Sequence, residues 1–298
     1  MTDQTIIGLG EILWDMLPDG KTLGGAPCNF AYDVHALGHQ GIPLSRIGED
    51  RLGDEIISSV GDLGMDAAQL QRDSEHPTGT VQVELDETGT PDFTIVEEVA
   101  WDYMEPDERW LDLARRADAI CFGTLAQRAN RSRRTIQEVL RATEGALVVY
   151  DVNIRQDFYS REVFTESLAF ADILKLNDQE IPVLQSALRP DGDGAEDVFL
   201  RRLIMDYGLK MVCVTLGAQG CRLVTRERTV EKPVPPTKVG DTVGSGDPFT
   251  AGMVVKYLQG ASPEAVAEAA NLVGAYVAGR RGATPDLGDD LQIGRAHV

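Results

Sequence analysis

The chain is short of aromatics, of lysine and of long apolar runs, its few cysteines are scattered, and each shortage removes a class of protein. Phe, Trp and Tyr make up 6% of the 298 residues while 43% are hydrophobic overall. The interior must therefore be largely aliphatic, and there is enough of it for one large α/β domain, alone or with a small appendage. No stretch approaches the roughly 20 uninterrupted apolar residues of a membrane span. The first residues, MTDQTIIGLGEI, place an acid where a signal peptide would be basic and run straight into a strand-like segment. The expectation is a soluble, cytoplasmic protein with no membrane partner. Cys28, Cys121, Cys213 and Cys221 show no CxxC spacing. Cys121 and Cys213 lie inside the apolar runs AICFG and MVCVT, where a thiol acts as a small hydrophobe, so neither a zinc site nor a disulfide framework is expected. Only six of the 28 basic residues are lysine, and 48 acidic residues bring the net charge to −20. Such a surface repels nucleic acid. An anionic substrate would need a local positive site made of backbone amides, a metal ion or a few arginines.

What is present is a steady alternation of short apolar runs with amphipathic segments. TIIGLGEILWDML reads as a strand leading into a second strand, NFAYDVHALG as a helix stopped by Gly38, IPLSRIG (residues 42–48) as a strand and DRLGDEIISSVGDLG as a helix. DAICFGTL, ALVVYDVN, ADILKLN and MVCVTLG are buried-strand candidates between further helical stretches. This βαβα rhythm predicts a mostly parallel sheet with helices on both faces. One region departs from it. In TGTVQVELDETGTPDFTIVE, Val81, Val83 and Leu85 alternate with Gln82 and Glu84, a turn falls at Glu87-Thr88-Gly89, and a second strand follows. That is an antiparallel hairpin inserted in an α/β chain, serving either as a sheet extension or as a lid. No linker, repeat or low-complexity stretch divides the chain, so residues 1–298 read as one domain with a small β appendage. The last residues, IGRAHV (293–298), resemble a translated sequencing adapter or, equally, an ordinary exposed tail.

Residues 240–258, GDTVGSGDPFTAGMVVKYL, carry the strongest local signal. Small residues precede Asp247, after which an apolar helical pattern begins. Pro248 suits the first helical position and Asp247 the N-cap, which is a complete structural account. The same geometry also suits phosphate: amides of Val243 to Gly246, opening on a helix N-terminus, form an anion-binding nest. A carboxylate there can take the proton of an attacking hydroxyl during in-line phosphoryl transfer, with a pKa that the helix dipole should lower. Gly8-Leu9-Gly10 points instead to a dinucleotide-dependent oxidoreductase, but the third glycine of that fingerprint would fall at Leu13, where no helix begins.

Asp241-Thr242-Val243-Gly244-Ser245-Gly246-Asp247, continued by Phe249, Ala251 and Gly252, resembles the second signature of the ribokinase-like (PfkB) carbohydrate kinases, D-T-x-G-A-G-D-x-F, with Ser245 for Ala and Pro248 for a small residue. Gly24-Gly25-Ala26-Pro27-Cys28-Asn29 resembles the first signature, read in fructokinases as G-G-A-P-A-N. Gly10-Glu11-Ile12-Leu13-Trp14-Asp15 resembles the strand whose Asp grips sugar hydroxyls, a role that suits a bidentate acceptor. Asn177-Asp178-Gln179-Glu180 matches N-x-x-E, and Thr215-Leu216-Gly217-Ala218-Gln219-Gly220 matches T-x-G-x-x-G. Asp151-Val152-Asn153-Ile154-Arg155 is similar to the D-x-N-x-R of fructokinases. The resemblance runs over residues 5–287 with its motifs in order.

It implies a three-layer α/β/α fold with a mostly parallel central sheet and a small β-sheet lid contributed by about 12–25 and 78–100. It implies a kinase using ATP and Mg2+, and it further implies a potassium-like ion near Asp241. Asp247 would be the base and Gly244, Ser245 and Gly246 the anion hole. Asp15, Gly24, Gly25, Asn29 and Arg155 would hold the sugar. Asn177, Thr215, Gly217, Gly220 and Asn271 would lie at the nucleotide, with Glu180 near magnesium through water. Fructose, phosphorylated at its primary hydroxyl, is the expected acceptor; 2-keto-3-deoxygluconate, ribose or a nucleoside are the alternatives, and a non-catalytic sugar sensor is a third reading. The expected partners are the sugar, ATP and a second copy of the chain joined through the lid, with no nucleic acid. Taken on their residues alone, Asn29 reads as a cap of the helix NFAYDVHAL, Arg155 as a surface arginine, Asn271 as a helix-packing amide and Trp101 as a packing residue or a wall of the sugar pocket. Gln127 and Arg128, at a strand C-terminal end, are weaker candidates.

Overall fold

A computed structural model describes residues 3–85, 91–189, 192, 194–235 and 246–279. The turn at 87–89, Asp241, Gly244, Ser245 and the tail 293–298 lie outside the described residues. Strands β1 (Thr5–Leu9), β2 (Leu13–Leu17) and β3 (Gly20–Gly24) come first, then β4 (Gln40–Leu44), β5 (Arg46–Gly48), β6 (Gln71–Asp73), β7 (Thr80–Leu85) and β8 (Pro91–Ile95). The rest are β9 (Ala119–Gly123), β10 (Leu147–Asp151), β11 (Ile173–Asn177), β12 (Met211–Thr215), β13 (Cys221–Val224) and β14 (Thr229–Lys232). Helices α1 (Ala26–Ala36), α2 (Arg51–Asp62), α3 (Glu108–Arg116), α4 (Asn130–Arg141) and α5 (Arg161–Phe170) are followed by α6 (Glu180–Leu188), α7 (Glu196–Tyr207), α8 (Gly246–Leu258) and α9 (Pro263–Ala278).

The central sheet has the order β14-β13-β12-β11-β10-β9-β1-β4, parallel except for the β13–β14 edge. Its strands are apolar at both parities because both faces are covered. Ile120, Phe122, Val148, Tyr150, Val212 and Val214 pack toward one layer of helices, with Ile136, Phe164, Leu184 and Phe199. Cys121, Val149 and Cys213 pack toward the other, with Phe30 of α1, Phe249 of α8 and Ala270 of α9. This is the α/β/α arrangement that the rhythm of apolar runs requires. Helix starts follow local chemistry: Asp50, Asp107, Ser160 and Ser262 each accept an N-cap bond at α2, α3, α5 and α9.

A separate four-stranded sheet, β3-β2-β7-β8, contains the hairpin read from the alternating segment, and its β2 and β7 run parallel. IPLSRIG is not one strand. β4 is the outermost strand of the central sheet, so past Leu44 nothing continues its ladder, and the chain turns at buried Ser45 to pair β5 with β6.

Candidate active site

α1 is pressed onto the central sheet by missing side chains. A Cβ on Gly8 would fall 2.0 Å from the Pro27 carbonyl oxygen, and one on Gly41 would fall 1.8 Å from that of Ala31. Its entry is equally constrained: Gly25 has φ 106°, and a Cβ there would sit 2.4 Å from the Glu11 carbonyl oxygen. α1 therefore starts at Ala26 with Pro27 in its first turn. Asn29 lies inside the helix and does not cap it; its side chain is turned toward α8, where Nδ2 donates to Asp247 Oδ2 at 3.0 Å.

α8 begins at Gly246, so Asp247 is its second residue rather than the N-cap. Pro248 then occupies the third helical position, where an N–H would still have no intrahelical partner. The carboxyl of Asp247 is pushed up to about 6. Burial is the main cause; the Asn29 bond and the charges of Lys175 and Arg155 oppose it, while Asp151 adds to it. The expected lowering by the helix dipole is thus outweighed by desolvation.

Two residues not singled out as site residues by the sequence motifs stand beside this carboxylate. Lys175, buried in β11, donates from Nζ to Asp151 Oδ1 at 3.0 Å. Asp151 Oδ2 also accepts from Thr250 Oγ1, 3.2 Å away, one turn into α8. An atom at the Cβ position of Gly246 would lie 3.4 Å from Lys175 Nζ, so the ammonium faces the start of α8. Burial opposes its charge, but Asp151 and Glu180 more than offset this and hold it above the ordinary lysine range. Glu11 is the second. It is buried, and burial pushes its carboxyl up to about 7, with Arg155 opposing and Asp247 reinforcing the rise.

Arg155 is exposed, yet it is close enough to Glu11, Asp15 and Asp247 to favour the ionised form of each. Its loop is flanked by Asn153 and Gln156, both in the left-handed region at φ 39° and 48°. The loop is held on both sides: Ile154 N donates to Glu180 Oε1 at 2.8 Å, and Gln156 Nε2 donates to the Phe93 carbonyl at 2.6 Å. Asp15, on β2, points at Gly24, where a Cβ would come 2.6 Å from its Oδ2. Burial raises the Asp15 carboxyl and Arg155 opposes the rise. Asp15, Gly25, Asn29, Arg155 and Asp247 thus border one region between the two sheets, at the C-terminal ends of the parallel strands.

Asn177, Glu180, Thr215, Gly217 and Gly220 gather at the C-terminal ends of β11 and β12. Asn177 N donates to Glu180 Oε2 at 2.8 Å and Glu180 N to Asn177 Oδ1 at 3.0 Å, a reciprocal cap of α6. Both oxygens of Glu180 already accept backbone N–H groups, which leaves lone pairs for a water-mediated contact and suits an outer-shell role toward a metal rather than direct ligation. Asn271 uses its amide on the Lys232 and Pro233 carbonyls, at 2.9 and 3.3 Å, holding the end of β14 against α9. Trp101 is fully buried beneath the guanidinium of Arg128, which forms a buried ion pair with Asp102. Gln127 bonds the Gly123 carbonyl and Ser167. These groups brace the segment after β8. A cavity of about 350 Å3 lies at the opposite end of the sheet, where Lys210 and Arg228 are already paired with Asp172 and Glu264. Size alone does not mark the site.

Comparison with known proteins identifies the family. Residues 19–289 match the pfkB family carbohydrate kinases, and the chain belongs to that family. It is therefore a phosphotransferase with a sugar hydroxyl as acceptor. PH1459, an uncharacterized sugar kinase of Pyrococcus horikoshii, is 30% identical, the match covering 93% of this chain and 91% of that one. Its structure in complex with ATP superposes with a TM-score of 0.77 over 94% of each chain. A fructokinase of Klebsiella pneumoniae is 29% identical over 83% of this chain and 82% of its own. A fructokinase of Xylella fastidiosa with bound ATP, 24% identical, shares the fold at a TM-score of 0.81 over 95% of this chain and 94% of its own. Among the described residues no helix is long and apolar enough to cross a membrane.

Proposed function

We propose that the chain transfers the γ-phosphoryl group of ATP to the primary hydroxyl of fructose, giving fructose 6-phosphate and ADP. The observation that carries the chemistry is the Asp247 carboxylate, held by Asn29 at the start of α8 between Lys175 and Arg155. A carboxyl near pKa 6 is ionised at neutral pH and can accept a proton. The sugar oxygen attacks the γ-phosphorus in line, its proton passes to Asp247, and the bond to the β,γ-bridging oxygen breaks to release ADP. The first amides of α8 and the ammonium of Lys175 face the region where transferred charge develops. Asp15, Asn29 and Arg155, with the backbone at Gly24 and Gly25, form the sugar side. Asn177, Thr215, Gly217 and Gly220 border the nucleotide side, with Asn271 behind them. Mg2+ on the nucleotide phosphates would neutralise charge between the β- and γ-groups, with Glu180 in its outer shell. A potassium-like ion beside Asp241 belongs to the same reading.

The fructose assignment rests on the fructokinase relatives and on the GEILWD, GGAP and DVNIR segments. The β3-β2-β7-β8 sheet is proposed as a lid that closes over the sugar and excludes water. Leu17 and Phe93 on that sheet are 40% and 52% exposed, which favours a homodimer joined through paired lids. The proposed setting is the cytoplasm.

The test is ADP release with Mg-ATP over fructose, ribose, 2-keto-3-deoxygluconate, glucose and adenosine, for wild type and Asp247→Asn. Turnover on fructose alone, abolished in the variant, is the expected result. Turnover on another acceptor keeps the kinase and removes the fructose assignment, and an active Asp247→Asn removes the base.

A further inference from the structure

On the face of α1 that meets α8, one carboxyl has no role in the chemistry above. Asp33 is fully buried. It follows Asn29 by four residues, so the two side chains are neighbours one turn apart on the same helix face. Among the described residues, three side-chain atoms of α1 are buried without a hydrogen-bond partner: Asn29 Oδ1, Asp33 Oδ1 and Asp33 Oδ2. All three would be acceptors if Asp33 were ionised, and among the described residues no cation is paired with it. A buried, unpaired carboxylate facing the negative Asp247 is costly, and the group escapes the cost by keeping its proton. Burial, with Asp247 adding to it, holds the Asp33 carboxyl well above the usual range. In the acid form the set is no longer three acceptors. Asp33 gains an O–H donor, and Asn29 Oδ1 is the unsatisfied acceptor one turn before it.

We propose that Asp33 is a positioning residue that acts as a neutral carboxylic acid, donating to Asn29 Oδ1 and thereby fixing the amide orientation in which Asn29 Nδ2 holds Asp247. The inference rests on Asp247 as the base. It assigns to a single turn of α1 a two-step relay, from the Asp33 O–H to the Asn29 amide and from that amide to the base. Without the donor, the Asn29 amide is free to turn, since its oxygen and nitrogen ends are nearly the same shape. Asp247 then loses the bond that lowers its pKa and restrains its rotamer. The other groups that act on Asp247, namely Asp151, Lys175, Arg155 on their strand ends and loop, and Glu11 after β1, are untouched by a change at Asp33. On α1, Tyr32 and His35 are also titratable and lie within two residues of Asp33, and Cys28 is held as a thiol by burial, with Asp247 and Asp33 adding to the effect.

The test compares Asp33→Asn, Asp33→Val and Asp247→Asn with the wild type, using whichever sugar of the panel is turned over. Asp33→Asn keeps an N–H donor and should retain kcat within about 3-fold. Asp33→Val removes the donor at similar volume; it should stay folded and melt within a few °C of wild type, since it leaves one buried acceptor, Asn29 Oδ1, unpaired but also removes a desolvated carboxyl. Its kcat should fall about 10- to 100-fold, the scale of a misplaced catalytic group, with KM for Mg-ATP unchanged and the acid limb of the kcat profile moved upward. An independent reading is infrared difference spectroscopy of the substrate-free protein at pH 7.5, wild type minus Asp33→Asn. A carboxylic-acid C=O band should be present in the wild type and lost in the variant. A carboxylate band in its place overturns the proposal, as does wild-type kcat in Asp33→Val or an Asp33→Asn as impaired as Asp33→Val. If Asp247→Asn is fully active, the failure belongs to the base and not to the relay. If Asp247→Asn is inactive while both Asp33 variants are normal, the relay alone fails.

Discussion

Asp247→Asn should stabilise the protein while abolishing turnover, and the size of the gain follows from the position of its carboxyl. In the folded protein that carboxyl titrates at about 6, against 3.8 for an ordinary aspartate. At about 1.4 kcal/mol per pH unit, the difference corresponds to a destabilisation of about 3 kcal/mol when the group is ionised in both folded and unfolded chains. Asp247 is only partly screened from solvent, so about 1–3 kcal/mol is the expected gain from the neutral amide. The substitution preserves shape and an oxygen to accept the Asn29 N–H. A domain of this size gains roughly 2–4 °C in Tm per kcal/mol, so a rise of about 2–12 °C is expected near pH 7.5. Its pH dependence has a definite sign. Between about 4 and 6 the folded protein binds a proton that the unfolded chain has already released, so the wild type recovers stability as pH falls through 6. The gap between variant and wild type should be widest above 6 and close toward 4. Thermal melts of both proteins from pH 4.5 to 8, beside ADP-release assays, measure it. A variant less stable than wild type at pH 7.5, or a gap that does not change with pH, would refute the claim that burial of this carboxylate dominates its energetics.

Lys175→Met should strand Asp151 in the interior, costing about 3–5 kcal/mol; in the protein that remains folded, the acid limb of kcat should move up because a charge that favours ionised Asp247 is gone. Chemical denaturation and a pH–rate profile read the two effects separately. Arg128→Met leaves Asp102 buried and uncompensated at an equally buried pair and should lower stability by about 3–5 kcal/mol, with much of the loss recovered in the double variant Arg128→Met/Asp102→Leu. Gly25→Ala forces a Cβ to within 2.4 Å of the Glu11 carbonyl oxygen at a φ of 106°, so the start of α1 must shift. The expected outcome is a loss of about 2 kcal/mol or more in stability, seen in denaturant melts, together with a raised KM for the sugar.

The alternation of apolar runs was enough to establish the layers of the fold, because strands buried on both faces need apolar residues at both parities and the helices between them need only one face. It was less informative where the chain leaves the sheet. IPLSRIG has the composition of a single strand, and what ends β4 at Leu44 is its place at the edge, a property of the strand order rather than of the seven residues. The helix starts at Asp50, Ser160 and Ser262 are local events and can be read locally. The start of α8 could be read only to within a residue, since a Gly-Asp-Pro sequence allows Asp247 as cap or as second helical residue, and the observed start at Gly246 decides it.

The site divides along the same line between local and distant causes. Asn29 and Asp247 each lie in a recognisable segment, but their contact spans 218 residues and converts two separate capping candidates into one unit. Lys175 and Asp151 carried a faint signal, a single charge in each of two otherwise apolar strands. Their meaning appears only when β10 and β11 pair with these two residues in register, which places opposite charges side by side beneath α8. The dipole argument for Asp247 failed because it weighed one helix terminus and could not weigh burial by α1 and the sheet. Within a chain of net charge −20, the lack of a partner separates Glu11 and Asp33 from the other buried acids, Asp73, Asp102, Asp151 and Glu180. Most of those carboxylates are solvated or paired, whereas these two carry atoms buried away from any partner among the described residues, Glu11 beside the entry to α1 and Asp33 two turns into it. Acidic composition sets the field that keeps polyanions away; the few carboxyls drawn wholly or partly out of solvent bear on the chemistry, because there a neighbouring amide or ammonium changes a proton affinity enough to matter at neutral pH.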